Sequence, residues 1–287
     1  MQLTSINGVK SWIAALHQLV TTGNCRDPDF LRPYHFVLLG MFLRLHHVGG
    51  LALSPNLEGY ASRMHLWDSI DCPPPVRVNE LDSTGRFQPL VMLRDPETVD
   101  ETSRSLLEIF KVAGADDRSL QSADNVVSEL LGNCYAHSEV ENGMYGLACA
   151  QLWSRGNKAQ IAIADTGVGI RHSLQVSGLY NEELRTTNAC ELAAEYTVTS
   201  KPTKGHSGYG LTLARDLLEL NRGALIVVSH DEWFAVRDGH RASGDLGCHL
   251  PGTLVLLEWN TDVPLDSKKV YDNWPLPEGM TDDDFNF

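Results

Sequence analysis

Apolar and polar positions follow two rhythms along this chain, and the switch between them sets out the expected elements. Apolar residues three and four apart in "GVKSWIAALHQLV" predict a helix, and "FLRPYHFVLLGMFLRLHHVGG" predicts a second that ends at Gly49 and Gly50. "LALS" reads as a short strand and "LEGYASRMHLWDSI" as a third helix. The run "DCPPPVRVNELDSTG", residues 71 to 85, cannot carry a helix through its prolines and marks a boundary. Beyond it the pattern predicts a strand at "FQPLVML" and helices at "ETSRSLLEIFKVAG" and "SADNVVSELLGNCYAHS". Strands follow at "MYGLACAQLW" and "KAQIAIAD", a helix at "GLTLARDLLEL", and strands at "ALIVVSH", "WFAV" and "TLVLLEW".

Composition narrows the function classes. A chain of 287 residues with 43% apolar content can bury a full core. No apolar run approaches the ~20 residues of a membrane span, and the N-terminus lacks a signal-peptide layout, so a cytoplasmic protein is expected. The six cysteines are scattered without a CxxC pair, which favours reduced thiols over disulfides or zinc. A net charge of -14 argues against nonspecific nucleic-acid binding. The last stretch, with Asp262, Asp266, Asp272, Glu278, Asp282, Asp283 and Asp284 against Lys268 and Lys269, reads as a solvated acidic tail.

Three stretches carry candidate chemistry. "IADTGVGI" ends a strand on Asp165 and follows it with Gly167 and Gly169, which leave the backbone bare beside a carboxylate. Alone it is an ordinary strand-to-loop turn, and neither GxGxxG nor GxxxxGK[ST] is completed. In "VVSELLGNCYAHS", Glu129, Asn133 and His137 recur every fourth residue and form one helix stripe able to activate water, ligate a hard cation through an amide oxygen, and touch phosphate. In "KGHSGYGLTLARDLLEL", Gly205, Gly208 and Gly210 form a flexible loop that feeds a helix N-terminus, a favourable place for an anion. A solvated polar face and a glycine-rich linker are the plain alternatives for the last two.

Taken in order, "ELLGNCYAHS", "DTGVGI" and "GHSGYGL" resemble the N, G1 and G2 boxes of the GHKL superfamily of ATP-binding domains. That superfamily includes gyrase-type topoisomerases, heat-shock chaperones, mismatch-repair ATPases, sensor histidine kinases and anti-sigma-factor kinases. "PGTLVLLEW" is similar to its closing strand. The resemblance implies ATP and Mg2+ as cofactors. Asp165 would accept from the adenine amino group with help from Thr253, while Gly167 and Gly169 let the base lie close. Asn133 would hold Mg2+. Gly205, Ser207, Gly208, Tyr209, Gly210 and Leu211 would donate to the phosphates, with His137, Lys201 and Lys204 as further contacts. Residues 171 to 204 would form a lid.

Glu129, four residues before Asn133, matches the general base of the hydrolysing and anti-sigma members, and E-x-x-x-N-x-x-x-H is nearest to the anti-sigma-kinase type. His35, His46 and His47 sit in no phosphoacceptor hairpin of the sensor-kinase kind and read as core or surface imidazoles. Residues 30 to 70 loosely resemble part of a STAS-like domain.

The expected fold is α/β. A STAS-like or helical interaction domain (1–84) precedes a GHKL two-layer α/β sandwich (85–262), a mixed sheet covered by helices on one face, and then the acidic tail (263–287). The expected function is an ATP/Mg2+-binding, histidine-kinase-like regulator of a protein partner. The partner would be engaged through the N-terminal domain or the tail, and a second copy of the chain would be one such partner. The alternatives are a serine/threonine kinase of anti-sigma type and a noncatalytic nucleotide-sensing scaffold. No membrane partner is expected.

Overall fold

A computed structural model describes residues 3–24, 28–48, 51, 53–76, 78, 85–137, 143–200 and 209–275. Five strands, β1 (Phe87–Leu93), β2 (Gly146–Trp153), β3 (Lys158–Asp165), β4 (Ala224–Arg237) and β5 (His240–Asn260), form one sheet in the order β1-β2-β3-β5-β4. The helices are α1 (Ile6–Thr22), α2 (Pro33–Leu45), α3 (Pro55–Arg63), α4 (Val99–Val112), α5 (Asp117–His137), α6 (Ile170–Ser177), α7 (Ala189–Ala193), α8 (Gly210–Asn221) and α9 (Ser267–Tyr271).

All four strand pairings are antiparallel, which corrects the expected mixed sheet. The connections explain it. Short turns join β2 to β3 and β4 to β5, and such turns reverse the chain. The helix pair α4–α5 likewise returns the chain to the end it left. The β4–β5 turn places Asp238 (φ 50°) and Gly239 (φ 74°) both in the left-handed region, as a tight two-residue hairpin requires.

The helices of residues 85–262 cover one face as expected, and the other face is covered by α1, α2 and α3. Side chains alternate strictly between two cores: Ala162 and Ala164 of β3, with Leu254 and Leu256 of β5, join the core built by α1, α2 and α3. Ile161 and Ile163, with Val255, Leu257 and Trp259, join the core built by α4, α5 and α8. The described residues therefore form three layers, with the sheet in the middle. Helix α2 is apolar almost all round and lies close to the sheet at Gly40, where a Cβ would come within 2.9 Å of the Leu147 side chain.

Among the described residues before Gly85 the regular elements are helical, so the strand expected at "LALS" and the α/β character of a STAS-like unit are not seen there. The predicted helix at "LEGYASRMHLWDSI" stops at Arg63, and only a single turn, Asp68–Ile70, follows it. Helix α2 ends at Leu45, before Gly49 and Gly50, which lie outside the described residues. The tail boundary also moves, because Leu265 and Val270 are buried and α9 packs onto α5 and α8, so residues 263–275 belong to the fold. Residues 276–287 lie outside the described residues. Among the described residues no helix is long and apolar enough to cross a membrane.

Candidate functional site

An open cleft of ≈ 920 Å³, counting solvent at its mouth, lies between α5, the end of β3 and the middle of β5, the α6–α7 segment and the start of α8. Glu129, Asn133, His137, Asp165, Gly169, Gly210, Leu211 and Thr253 all line it. One end is built on the sheet. Asp165 pairs in register with Gly146 on one side and Thr253 on the other, so the ladder itself aims its side chain. The Gly167 N–H donates to its Oδ1 at 2.7 Å. Part of Asp165 opens into the cleft, yet the protein packed around the carboxyl pushes its pKa up to about 7, against the lowering effect of backbone donors from Gly167 and Thr253.

Three glycines make this crowding feasible. At Gly252 (φ 94°) a Cβ would collide with the Asp165 carbonyl oxygen. At Gly167 it would come within 2.6 Å of the His137 carbonyl, and at Gly169 (φ 77°) within 2.7 Å of the His230 ring. His230 is itself held by burial below the ordinary imidazole pKa, with the nearby His249 adding to the effect.

The other end is built on helices. Glu129 and Asn133 face the first residue of α8, where a Cβ on Gly210 would stand 3.1 Å from the Glu129 Cβ and 3.8 Å from the Asn133 amide nitrogen. The N-cap residue Tyr209 makes no side-chain cap, and the first N–H groups of α8 carry the partial positive charge of a helix start. Glu129 and His137 are eight residues apart on α5, or roughly 12 Å at 1.5 Å per residue, and they mark opposite ends of the cleft. His137 thus stands beside the Asp165 turn. Its Nδ1 is 3.1 Å from the Ser173 Oγ, which is in turn 2.9 Å from the Ser200 Oγ.

Comparison with protein-family models and with curated proteins returns no match. The reading therefore rests on the site's own chemistry.

Of the other sequence-predicted residues, Tyr209 does not line the cleft and packs its ring against both Tyr196 and Trp274, with centroids 5.3 Å and 5.1 Å away. Lys201, Lys204, Gly205, Ser207 and Gly208 lie outside the described residues. Thr253 is buried and its hydroxyl sits 3.1 Å from that of Ser229, which also accepts from the Ile170 N–H at 2.8 Å.

Sequence reasoning missed Ser229, Ser173, Ser200 and the anchor of the α6–α7 segment. Arg171 donates from Nε and Nη2 to both Glu232 oxygens at 2.7 Å and from Nη1 to the Leu184 carbonyl at 2.8 Å. Glu232 also accepts from the Ala189 N–H at 3.1 Å. A bidentate pair of this kind ties both helices of the segment to β4. Its only signal in the sequence is an arginine soon after the DTGVG turn and an acidic residue inside an apolar strand.

Proposed function

We propose that the cleft binds ATP with Mg2+ in the manner of a GHKL domain, and that the protein is a nucleotide-dependent regulator of a protein partner. One observation carries the reading: a buried acceptor beside bare glycine backbone and a Glu–Asn pair facing a helix start occupy the two ends of a single cleft. The Asp165 end suits a flat heterocycle with an amino donor. Ile163, Leu174 and Val255 supply apolar contact, and the hydroxyls of Ser173 and Ser200 are within the same wall for a sugar. The Glu129 end suits a polyphosphate.

Among the described residues no group of three or more His, Cys, Asp or Glu side chains could hold a metal. A lone amide fits a magnesium ion that takes most of its ligands from phosphate and water, and Asn133 would hold it. When bound, that ion supplies charge neutralisation at the phosphates. Glu129 adjoins this end, which favours a second reading as a protein serine/threonine kinase of anti-sigma type. In it, Glu129 takes the proton from a partner's hydroxyl.

Titration calorimetry with ATP and Mg2+ tests the binding. Saturable heat is expected from the wild type, and Asp165→Asn should weaken it by about ten- to a hundredfold through mismatched buried polar groups. No heat from the folded wild type removes the nucleotide reading. Label transfer from ATP to a co-purified partner favours the kinase over the regulator.

A further inference from the structure

The chain after β5 returns across the back of the cleft, and its contacts fall on the elements that bound the Glu129 end. Leu265 N–H donates to the Ser119 Oγ at 3.0 Å and Ser267 N–H to the Ser122 Oγ at 2.9 Å, laying α9 on α5. Tyr271 is hydrogen-bonded to Asn125, one turn before Glu129, and feels the Glu129 charge. Trp274 then enters an aromatic cluster, its ring 5.0 Å from Tyr196, 5.1 Å from Tyr209 and 5.1 Å from Tyr271.

Each partner of Trp274 leads to the cleft. Its Nε1–H donates to the Asp216 Oδ2 of α8 at 2.8 Å, and Asp216 in turn accepts from the buried Arg215 at 2.8 Å. Arg215 pairs with Glu195 at 3.0 Å, and the Glu195 carbonyl accepts from the Thr212 hydroxyl in the first turn of α8 at 3.0 Å. The Tyr196 hydroxyl donates to the Pro275 carbonyl at 3.1 Å. Val198, Thr199 and Ser200, just after Tyr196, and Gly210 and Leu211, just after Tyr209, are wall residues of the cleft.

We propose that Trp274 and Tyr271 are positioning residues for the polyphosphate end of the cleft: this C-terminal strap holds Glu195–Tyr196 and the first turn of α8 against α5. The proposal rests on the nucleotide reading and adds a division of labour within it. Among the described residues no part of the strap lines the Asp165 end of the cleft. Its loss disturbs recognition of the phosphates and leaves recognition of the base.

The test compares ATP·Mg2+ with adenosine by calorimetry on the full chain. Trp274→Ala is expected to weaken ATP by about tenfold while adenosine stays within about twofold of wild type. Tyr196→Phe, which removes the hydroxyl bonded to Pro275 and Tyr209, and Trp274→Phe, which removes the bond to Asp216 but keeps an aromatic ring in the cluster, should shift the same ratio in the same direction by about two- to threefold, and they serve if the alanine variant does not fold. Amide exchange at Glu195–Tyr196 and Tyr209–Leu213 should quicken in all three.

Equal loss of both ligands, or an unchanged ATP-to-adenosine ratio in folded variants of a wild type that binds both, overturns the positioning role and leaves the nucleotide reading standing. A wild type that binds neither ligand overturns both.

Discussion

The two ends of the cleft are built by different means. At the Asp165 end backbone sets the geometry: ladder register between two neighbouring strands aims the carboxylate, and at Gly167, Gly169 and Gly252 a single added carbon meets main chain or a ring. At the Glu129 end two side chains of α5 face Gly210 of α8, and the start of α8 is held by an aromatic cluster and a strap. Backbone crowding fixes a shape to within tenths of an ångström, whereas helix-on-helix packing can shift by small amounts at low cost. The first end suits recognition of a rigid planar group and the second a flexible, charged one.

The largest expected effect would separate chemistry from recognition. If the protein turns ATP over, Glu129→Ala should slow phosphate release or transfer by about 10^2–10^4-fold, the usual contribution of a general base. Adenosine affinity should not move, since Glu129 lies roughly 12 Å along α5 from the Asp165 end. Wild-type rates in the variant would strip Glu129 of that role.

A matched pair of glycine substitutions probes the construction directly. Gly252→Ala forces a Cβ onto the Asp165 carbonyl at φ 94°, and neither strand can yield without breaking the ladder. A loss of about 3 kcal/mol or more in denaturant unfolding is expected. Gly210→Ala adds a methyl 3.1 Å from the Glu129 Cβ within a helix that favours alanine over glycine, so stability should change by less than about 1 kcal/mol. ATP affinity should still fall, by less than about tenfold. Similar destabilisation by the two would erase the contrast between the ends.

The sequence exposed the parts of this arrangement that depend on repeated spacing. Glu129, Asn133 and His137 at intervals of four meet the strand-end Asp165 in one cleft, and the helices α1, α4, α5 and α8 fall within a few residues of the apolar periodicity. What stayed hidden had no period. Helix α6 starts directly on the glycine turn, where Gly169 offers no side chain as a cap and Ser229 of β4 takes its first N–H, and α9 has only five residues, "SKKVY". "ALIVVSH" and "WFAV" are one strand, interrupted by a register shift at His230 (φ 52°).

The first half of β5, Arg241 to Leu250, is polar because it pairs beyond the main core, although the Asp238-Gly239 pair before it is a recognised hairpin signal. The second helical layer was also signalled. Continuous runs such as "AIA", "LIVV" and "LVLL" mark strands buried on both faces, whereas one-sided cover would leave alternating polar positions.

A further effect concerns protons and distinguishes the ends by pH. The carboxyl of Asp165, raised to about 7 by burial, is largely neutral at pH 6 and ionised at pH 8. An amino donor is best met by the ionised acceptor, so adenosine affinity should rise by up to about tenfold between those values. Adenosine carries no phosphate to titrate, and Asp165→Asn should flatten the profile.

Stability runs the other way. Because the folded pKa lies above the unfolded value of about 3.9, the contribution of Asp165 to stability is complete below pH ~4 and is lost as pH rises towards 7. Asparagine carries no charge to bury and can still accept from the Gly167 N–H. Asp165→Asn should therefore unfold at higher denaturant than wild type at pH 8, by on the order of 2–4 kcal/mol, with the difference closing near pH 4. A pH-independent gap between the two proteins would mean that the carboxyl titrates normally and that the Asp165 end is more open to water than its backbone construction implies.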